Sequence, residues 1–502
     1  MCEYFEYNVL LRIFAVRMIG DELTYRIRET FRHVPTVEQE RAMETFARFL
    51  TDRRDEAVML MRGSAGTGKT SLAAAIVRAM VAMNQQLVLL APTGRAAKVF
   101  SLYAGHPAYT IHRRIYRQQS LEGGFSLGYN SLHDTLFMVD EASMISESPS
   151  GFTDSSGLLD DLIRFVYGGR NCRLMLIGDD AQLPPVGEEE SPALMPQVLR
   201  SYGLHVYQCD LKEVLRQGQE SGILYNATLI RQKNEEAGGV RIELPKVHLQ
   251  GFTDIRIVPG DELIEALASS YSKVGMDETM VVTRSNKRAN IFNQGIRNQV
   301  LGREDELCTG DQLMIVKNNY FWMKDDASQS AAENGSQSSA FIANGDMAVV
   351  RRVRNVHEQY GFRFAEVTMT FPDYDNYELT ATVLLDTLTS EAPALTHEQQ
   401  ELLYNKVLED YIDIPRKADR MRALKQDRYY NALQVKFAYA ATCHKTQGGQ
   451  WAHVYIDQGY MTDDMLTVDY LHWLYTAFTR ATQQLYLVNW PKTQVADAVC
   501  QD

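Results

Sequence analysis

The eight residues Gly63-Ser64-Ala65-Gly66-Thr67-Gly68-Lys69-Thr70 constrain this chain more than any other feature. They satisfy GxxxxGK[ST] at every fixed position. They also stand between an apolar run, AVMLM (57–61), and a helix-patterned stretch, TSLAAAIVRAMVAM (70–83). Glycines there let the backbone wrap a phosphate chain, and the N–H groups at the helix start point at its negative charge. In that setting Lys69 reaches the β- and γ-phosphates and the Thr70 hydroxyl holds Mg²⁺. A chance glycine-rich turn lacks the strand before it and the helix after it. The segment reads as a nucleoside triphosphate site.

The flanking sequence repeats the same alternation. QLVLLA (86–91), TLFMV (135–139) and RLMLI (173–177) are short apolar runs separated by helical patterns, and PTVEQERAMETFARFL places Ala42, Phe46 and Leu50 on one helix face. Such runs imply a parallel sheet covered on both faces, an α/β class. Two of them end in chemistry. Phe137-Met138-Val139-Asp140-Glu141 closes on paired carboxylates: Asp140 can orient the water ligands of Mg²⁺, and Glu141 can take a proton from an attacking water. Gly178-Asp179-Asp180-Ala181-Gln182-Leu183-Pro184-Pro185 puts Gln182 where a side-chain amide can touch the γ-phosphate or its water. Glu141 favours ATP hydrolysis over phosphate transfer to a hydroxyl, so a P-loop kinase ranks below a hydrolase.

Beyond these runs the chain is long enough for about three domains of ~150 residues, with 502 residues, 45% of them apolar. The first 33 residues carry no strong signal and read as an N-terminal extension; the fold is expected to start near Pro35. Residues 34–204 read as a first α/β lobe. The strand-like HVYQCDL opens a second lobe over 205–309, with TMVVT (279–283) and helix NKRANIFNQGIR. A β-rich insertion with a helical segment occupies 310–432, including the polar, flexible linker KDDASQSAAENGSQSSA (324–340). The α/β pattern resumes over 433–502 with VKFAYAAT, HVYID and QLYLV.

At this point eight ordered segments resemble the superfamily 1 helicases. They are GSAGTGKT, LAPTGRAA (90–97), TIHR (110–113), MVDEASMI (138–145), GDDAQLPPVG (178–187), LKEVLRQ (211–217), YAATCHKTQGGQ (439–450) and LYTAFTRA (474–481). The combination is similar to the RecD-like and Dda-like branch, associated with 5′→3′ movement on DNA. The resemblance implies two RecA-like lobes with ATP between them and a small SH3-like barrel inserted in the second lobe. It also assigns residues. Gln39 matches an adenine-contacting glutamine. Arg216 and Arg480 match two arginines that reach the γ-phosphate from the second lobe, where a guanidinium stabilises charge spread over phosphoryl oxygens. Gln447 and Gly448 link nucleotide to DNA.

Local charge supports a nucleic-acid partner in spite of a net charge of −13. Residues 86–120 carry Arg95, Lys98, Arg113, Arg114 and Arg117 and no acid, with Pro92, Thr93, Thr110, His112 and Tyr116 interleaved. Arg284, Lys287, Arg288 and Arg297 form a second acid-free cluster from 281 to 300, alongside Thr283 and Asn286. A third, 416–436, holds seven basic residues against two acids, and Thr442, His444 and Lys445 continue the track. Basic tracks with stacking groups hold single strands. YRQQSLEGGFSLGYNSLHD (116–134) is the candidate for a duplex-splitting hairpin, with Phe125 or Tyr129 as wedge.

The expected function is an ATP-dependent helicase or translocase on single-stranded DNA and tailed duplex, working 5′→3′ in repair or recombination alongside proteins of those processes. The alternative is an ATP-gated DNA-binding subunit of a nuclease or repair complex that does not itself unwind. Other classes drop out. The six scattered cysteines offer no CxxC pair, which argues against a zinc ribbon or disulfide framework and for a reducing cytoplasm. No stretch approaches the ~18 uninterrupted apolar residues of a membrane span.

Overall fold

The computed structural model describes residues 18–54, 56–118, 125–148, 157–214, 220–236, 245–319, 321–322, 342–462 and 465–496. The chain divides into two compact units.

The first unit is built on a six-stranded sheet. Its strands are β1 (Ala57–Gly63), β2 (Gln86–Ala91), β3 (Ala108–Thr110), β6 (Thr135–Val139), β7 (Arg173–Gly178) and β8 (His205–Leu211). Between β3 and β6 in the chain lies a small hairpin of β4 (Tyr116–Gln118) and β5 (Phe125–Leu127); it was expected within the first lobe, but residues 116–126 group with the second unit. The sheet order is β3-β2-β6-β7-β1-β8, with every pair parallel. Burial of every residue of β6 and β7 matches a sheet covered on both faces. The registers Arg62↔Gly178, Val139↔Leu176 and Leu90↔Val139 align the carboxyl ends of β1, β7, β6 and β2 along one edge. That edge is where open parallel sheets place their ligands, because the turns into the helices gather there.

Two expectations shift in this unit. HVYQCDL does not open the second lobe: β8 pairs with β1 from Ala57↔His205 to Gly63↔Leu211 and is the edge strand of the first sheet. An apolar run shows that a strand exists but not which sheet receives it. The fold also begins before Pro35. A helix covers 18–30, and Leu23, Ile27 and Phe31 are buried in the same core as Phe46, Met59 and Ile76. The Thr30 hydroxyl donates to the Ala75 carbonyl at 2.9 Å, and Arg78 donates to the Thr30 carbonyl at 3.1 Å, so this helix braces the one that follows the glycine loop.

The second unit carries a five-stranded parallel sheet and a closed barrel. The sheet begins with β9 (Ile255–Val258) and β10 (Thr279–Thr283). The barrel follows as β11 (Gln312–Ile315), β12 (Met347–Gln359), β13 (Phe362–Phe371), β14 (Tyr377–Leu384) and β15 (Leu433–Phe437). The sheet is completed by β16 (Ala440–Thr442), β17 (Trp451–Asp457) and β18 (Ala481–Val488), in the order β16-β10-β17-β18-β9. VKFAYAAT, read as one strand, is therefore two. Its first half closes the barrel, with β15 antiparallel to β11 and parallel to β14, and its last three residues join β10 in the sheet. The short strand β9 falls in a stretch that gave no sequence signal. The helix pair His397–Glu409 and Lys417–Lys425 packs Leu403, Val407 and Leu424 on Phe362, Phe364 and Leu384 of the barrel wall.

A buried ionic knot secures the barrel's first strand. Asp311 is fully buried and accepts from Arg297 Nε (3.1 Å) and Nη2 (3.0 Å), Arg303 Nη1 (2.7 Å), Tyr439 Oη (2.8 Å) and the Cys308 N–H (2.7 Å). A buried carboxylate is tolerated only with such full pairing. The linker 324–340 lies outside the described residues.

Candidate functional site: a phosphate-binding sheet edge

The glycine loop leaves β1 at Gly63, where added bulk has no room. A Cβ on Gly63 would stand 2.9 Å from Thr67 Oγ1 and 3.0 Å from Leu211. Gly68 begins the helix Lys69–Ala82 at φ +81°, a left-handed conformation that glycine adopts without strain. The loop is held from within by Thr67, whose hydroxyl donates to the Ser64 carbonyl at 2.8 Å. It is also held from below by Gln39. That side chain is buried and its amide donates to the Thr67 carbonyl at 3.0 Å, while its Oε1 accepts the Thr36 N–H at 3.0 Å in a capping box. Both ends of the Gln39 amide are thus engaged by the protein, under the loop that it was expected to serve from the adenine side.

Two strand ends converge on Lys69. Its ammonium donates to the Gly63 carbonyl and lies 3.5 Å from Asp179 Oδ2. Asp179, just past β7, is 1% exposed and also accepts the Ala181 N–H at 3.1 Å. The sequence signal for Asp179 is an acid directly after a buried strand, beside the strand that ends in Asp-Glu, and it marks a residue to which no role was assigned from sequence. Gln182 is buried close behind, and its Oε1 has no hydrogen-bond partner among the described residues. Thr70 is exposed at the first turn of the helix.

Asp140 ends β6 with its own N–H bonded to Leu90 O at 3.0 Å. Its Oδ1 accepts the Glu141 N–H at 2.9 Å, and its Oδ2 accepts the Tyr103 hydroxyl. Burial raises the Asp140 carboxyl above its ordinary value. Burial and the neighbouring carboxylate drive the Tyr103 phenol well upward, so it remains a donor. Glu141 takes φ +53°, uncommon for a residue with a side chain and costly enough that its surroundings must hold it. A hydroxyl and a carboxylate are hard oxygen donors of the kind Mg²⁺ takes, and the close-packed cradle at Gly63, Gly66 and Gly68 suits a phosphate chain. The described residues contain no cluster of three or more His, Cys, Asp or Glu side chains arranged for a metal.

In the second unit Arg480 is 2% exposed. Its Nε donates to Thr476 O (3.0 Å), Nη1 to Gly449 O (3.1 Å) and Nη2 to Thr479 Oγ1 (3.2 Å). All three acceptors are neutral. Gln447 is buried at the end of the short helix Cys443–Thr446, and Gly448 has φ +71°. Thr442 is the N-cap residue of that helix and Thr283 is fully buried, its hydroxyl donating to Ser285 O at 3.1 Å, while Asn286 starts the helix Asn286–Gly295. Arg216 lies outside the described residues.

The proposed DNA residues divide by charge state. Burial lowers His112 from its ordinary value to about 4, so at neutral pH it is uncharged. Burial also lowers His444, and brings Lys445 down to about 8 with Lys436 adding repulsion. The Lys445 ammonium has no hydrogen-bond partner among the described residues. Thr110 is buried and accepts the Arg113 N–H at 3.3 Å. Pro92 belongs to the first unit; Thr93 and Arg95 group with the second, where the Arg95 guanidinium lies 4.4 Å from the Trp451 ring centroid. Strands β4 and β5 pair as a two-stranded sheet; the turn 119–124 between them lies outside the described residues, and Tyr129 beyond them is 86% exposed.

An AAA domain family model matches residues 35–243, and a UvrD-like helicase C-terminal domain model matches residues 437–488. The chain is 26% identical over 298 residues to the ATP-dependent RecD2 DNA helicase of Deinococcus radiodurans, covering 57% of this chain and 38% of that protein. It is 25% identical over 338 residues to the ATP-dependent DNA helicase dda of Enterobacteria phage T4, covering 63% and 70%. The chain therefore spans well under half the length of the first of these relatives. A crystal structure of a Pif1 helicase from Bacteroides in complex with ADP-AlF3 and single-stranded DNA aligns over 92% of this chain and 94% of that one, at 15% identity and a TM-score of 0.45.

Proposed function

We propose that this chain belongs to the RecD-like and Dda-like branch of the superfamily 1 helicases and is an ATP-driven motor on single-stranded DNA. The observation that carries the reading is the meeting of Lys69, Asp140, Glu141, Asp179 and Gln182 along the carboxyl edge of one parallel sheet. ATP is the substrate. Its phosphates lie against the N–H groups from Gly66 to Thr70, and Lys69 exchanges the Asp179 carboxylate for phosphoryl oxygens. Mg²⁺, when bound, neutralises charge at the β- and γ-phosphates, and Thr70 and Asp140 are the residues that would hold it. Glu141 accepts the proton of the attacking water. Gln182, with its free Oε1, orients that water. Arg480 and Arg216 are the cations that the second half of the motif series contributes, and an arginine of this kind is worth ~10³–10⁵ in rate.

The motor moves 5′→3′ and opens duplex from a 5′ single-stranded tail, in DNA repair or recombination in the cytoplasm. Thr93, Arg95, Arg113, Asn286, His444 and Lys445 touch the strand. Among the described residues no helix is long and apolar enough to cross a membrane. The test is strand displacement by purified protein on 5′-tailed and 3′-tailed duplexes, with ATP turnover measured with and without single-stranded DNA. DNA-stimulated turnover and opening of the 5′-tailed duplex alone are expected. Equal turnover with and without DNA, or no displacement on either duplex, removes the motor reading.

A further inference from the structure

The loops that carry Glu141 and Gln182 are fastened to each other by residues outside both. Glu188 follows the Gln182 loop, and its N–H bonds back to Pro185 O at 3.0 Å, which ties it to that loop. Its Oε1 reaches across and accepts from Ser146 Oγ (2.5 Å), the Glu147 N–H (3.0 Å) and the Ser148 N–H (3.2 Å). One carboxylate oxygen thereby holds the segment just beyond Glu141. Ser191 supplies a second staple: its hydroxyl donates to the Ser143 carbonyl at 3.0 Å, both residues buried. Between the staples the backbones themselves meet, since a Cβ on Gly178 would stand 3.2 Å from the Ser143 N–H.

Two further observations show that this joint does more than fill space. Glu141 sits in the left-handed region at φ +53°, a conformation that persists only when neighbouring contacts hold it. The other Glu188 oxygen, Oε2, is buried without a partner among the described residues, so the clamp carries a desolvation cost that hydrogen bonds at Oε1 must offset. We propose that Glu188 and Ser191 are positioning residues that lock the Glu141 turn to the Gln182 loop, so that the general base and the γ-phosphate sensor shift as one body. This deepens the reading of Glu141 and Gln182 given above and rests on it.

The test uses the purified full chain with saturating single-stranded DNA. Absence of ATP turnover by the parent protein removes the underlying reading, independently of the clamp. Given turnover, Glu188→Ala is expected to lower kcat about tenfold or more with KM for ATP within about twofold, the signature of a lost transition-state arrangement. Glu188→Gln keeps an acceptor oxygen in place and is expected to return kcat to within about threefold of the parent. Because both loops shift together, the Gln182→Ala/Glu188→Ala double variant should be no slower than the slower single variant. Amide exchange at Glu147 and Ser148 should accelerate in Glu188→Ala and not in Glu188→Gln. Should Glu188→Ala fail to fold, Ser191→Ala carries the same kcat-against-KM test. Parent-like kcat in the alanine variants, a Glu188→Gln as slow as Glu188→Ala, or fully additive losses with Gln182→Ala overturns the proposal.

Discussion

Lys69 Nζ stands 3.5 Å from Asp179 Oδ2, and the ammonium and the carboxylate are 16% and 1% exposed. This pair keeps the glycine-loop cation near the place where phosphates must come, with an acid as its counter-ion in the meantime. Lys69→Ala removes the phosphate-bound ammonium and is expected to lower ATP turnover by more than about 10²-fold. It also deprives the buried Asp179 of an ionic partner, which costs roughly 1–3 kcal/mol of stability. The Lys69→Ala/Asp179→Ala double variant should regain part of the lost melting temperature and none of the turnover. A double variant no more stable than Lys69→Ala, by thermal melting, contradicts the ion pair.

Glu141 and Asp140 are adjacent in sequence and are proposed to differ in task. Asp140 is bound on both oxygens by protein donors, from the Glu141 N–H and from Tyr103, and Glu141, two residues past the strand end, takes a positive φ. Glu141→Gln should bind ATP with affinity near that of the parent while turnover falls by ~10²-fold or more, since the amide cannot take a proton. Nucleotide binding and single-turnover hydrolysis measured on one preparation check this. Hydrolysis at the parent rate would sink the general-base assignment.

Arg480 is buried against three neutral acceptors, Thr476 O, Gly449 O and Thr479 Oγ1. A guanidinium held by dipoles retains attraction for an anion that a carboxylate neighbour would have quenched. Arg480→Lys cannot reproduce the planar fork, so it should lose ~10²-fold or more in kcat while nucleotide affinity changes by less than about tenfold. Loss of affinity with kcat retained would contradict a transition-state role.

Much of the site was legible because its chemistry is local. GSAGTGKT, the Asp140-Glu141 pair and Gln182 each announce themselves by spacing against an apolar run, and the strands beneath them fall where those runs predict. What the sequence hides is set by partners distant in the chain. Gln39 looks like a solvated helix residue until Thr67 O and Thr36 N–H claim its amide. Asp179 is one of two adjacent acids, and only the register Arg62↔Gly178 brings it to Lys69. The strand His205–Leu211 has the same pattern whichever sheet takes it, and it pairs with the first. Residues 18–30 spread Leu23 and Ile27 among exposed polar neighbours, too thin a stripe to signal a helix that completes a core.

The knot at Asp311 gives the barrel its own test. Five hydrogen bonds from Arg297, Arg303, Tyr439 and Cys308 satisfy a carboxylate that has no access to water. Removing the acid deprives the buried Arg297 guanidinium and the partly buried Arg303 of their counter-ion, so Asp311→Ala should cost ~3–5 kcal/mol. Denaturant unfolding checks it. A loss under about 1 kcal/mol would show that the network stabilises little.

The proposed DNA contact at Lys445 predicts a grip that depends on pH. Burial first, and Lys436 second, bring its ammonium down to about 8, and among the described residues it has no hydrogen-bond partner. Its ordinary value is 10.5, so folding disfavours the charged form, and between about pH 8 and 10.5 the folded chain releases a proton that the unfolded chain keeps. A phosphate oxygen placed beside Nζ favours the charged form again and draws the proton back. Binding of single-stranded DNA should therefore tighten as pH falls from 9 to 7, passing through its midpoint near 8. Lys445→Arg carries a charge that does not titrate in this range, and it should flatten the profile. Lys445→Ala should weaken binding and reduce the slope of log affinity against log salt by ~0.7, the share of one phosphate contact on a single strand. Fluorescence anisotropy with an oligothymidine at several salt concentrations and pH values reads all three. A profile unchanged in Lys445→Arg would place the titrating group elsewhere.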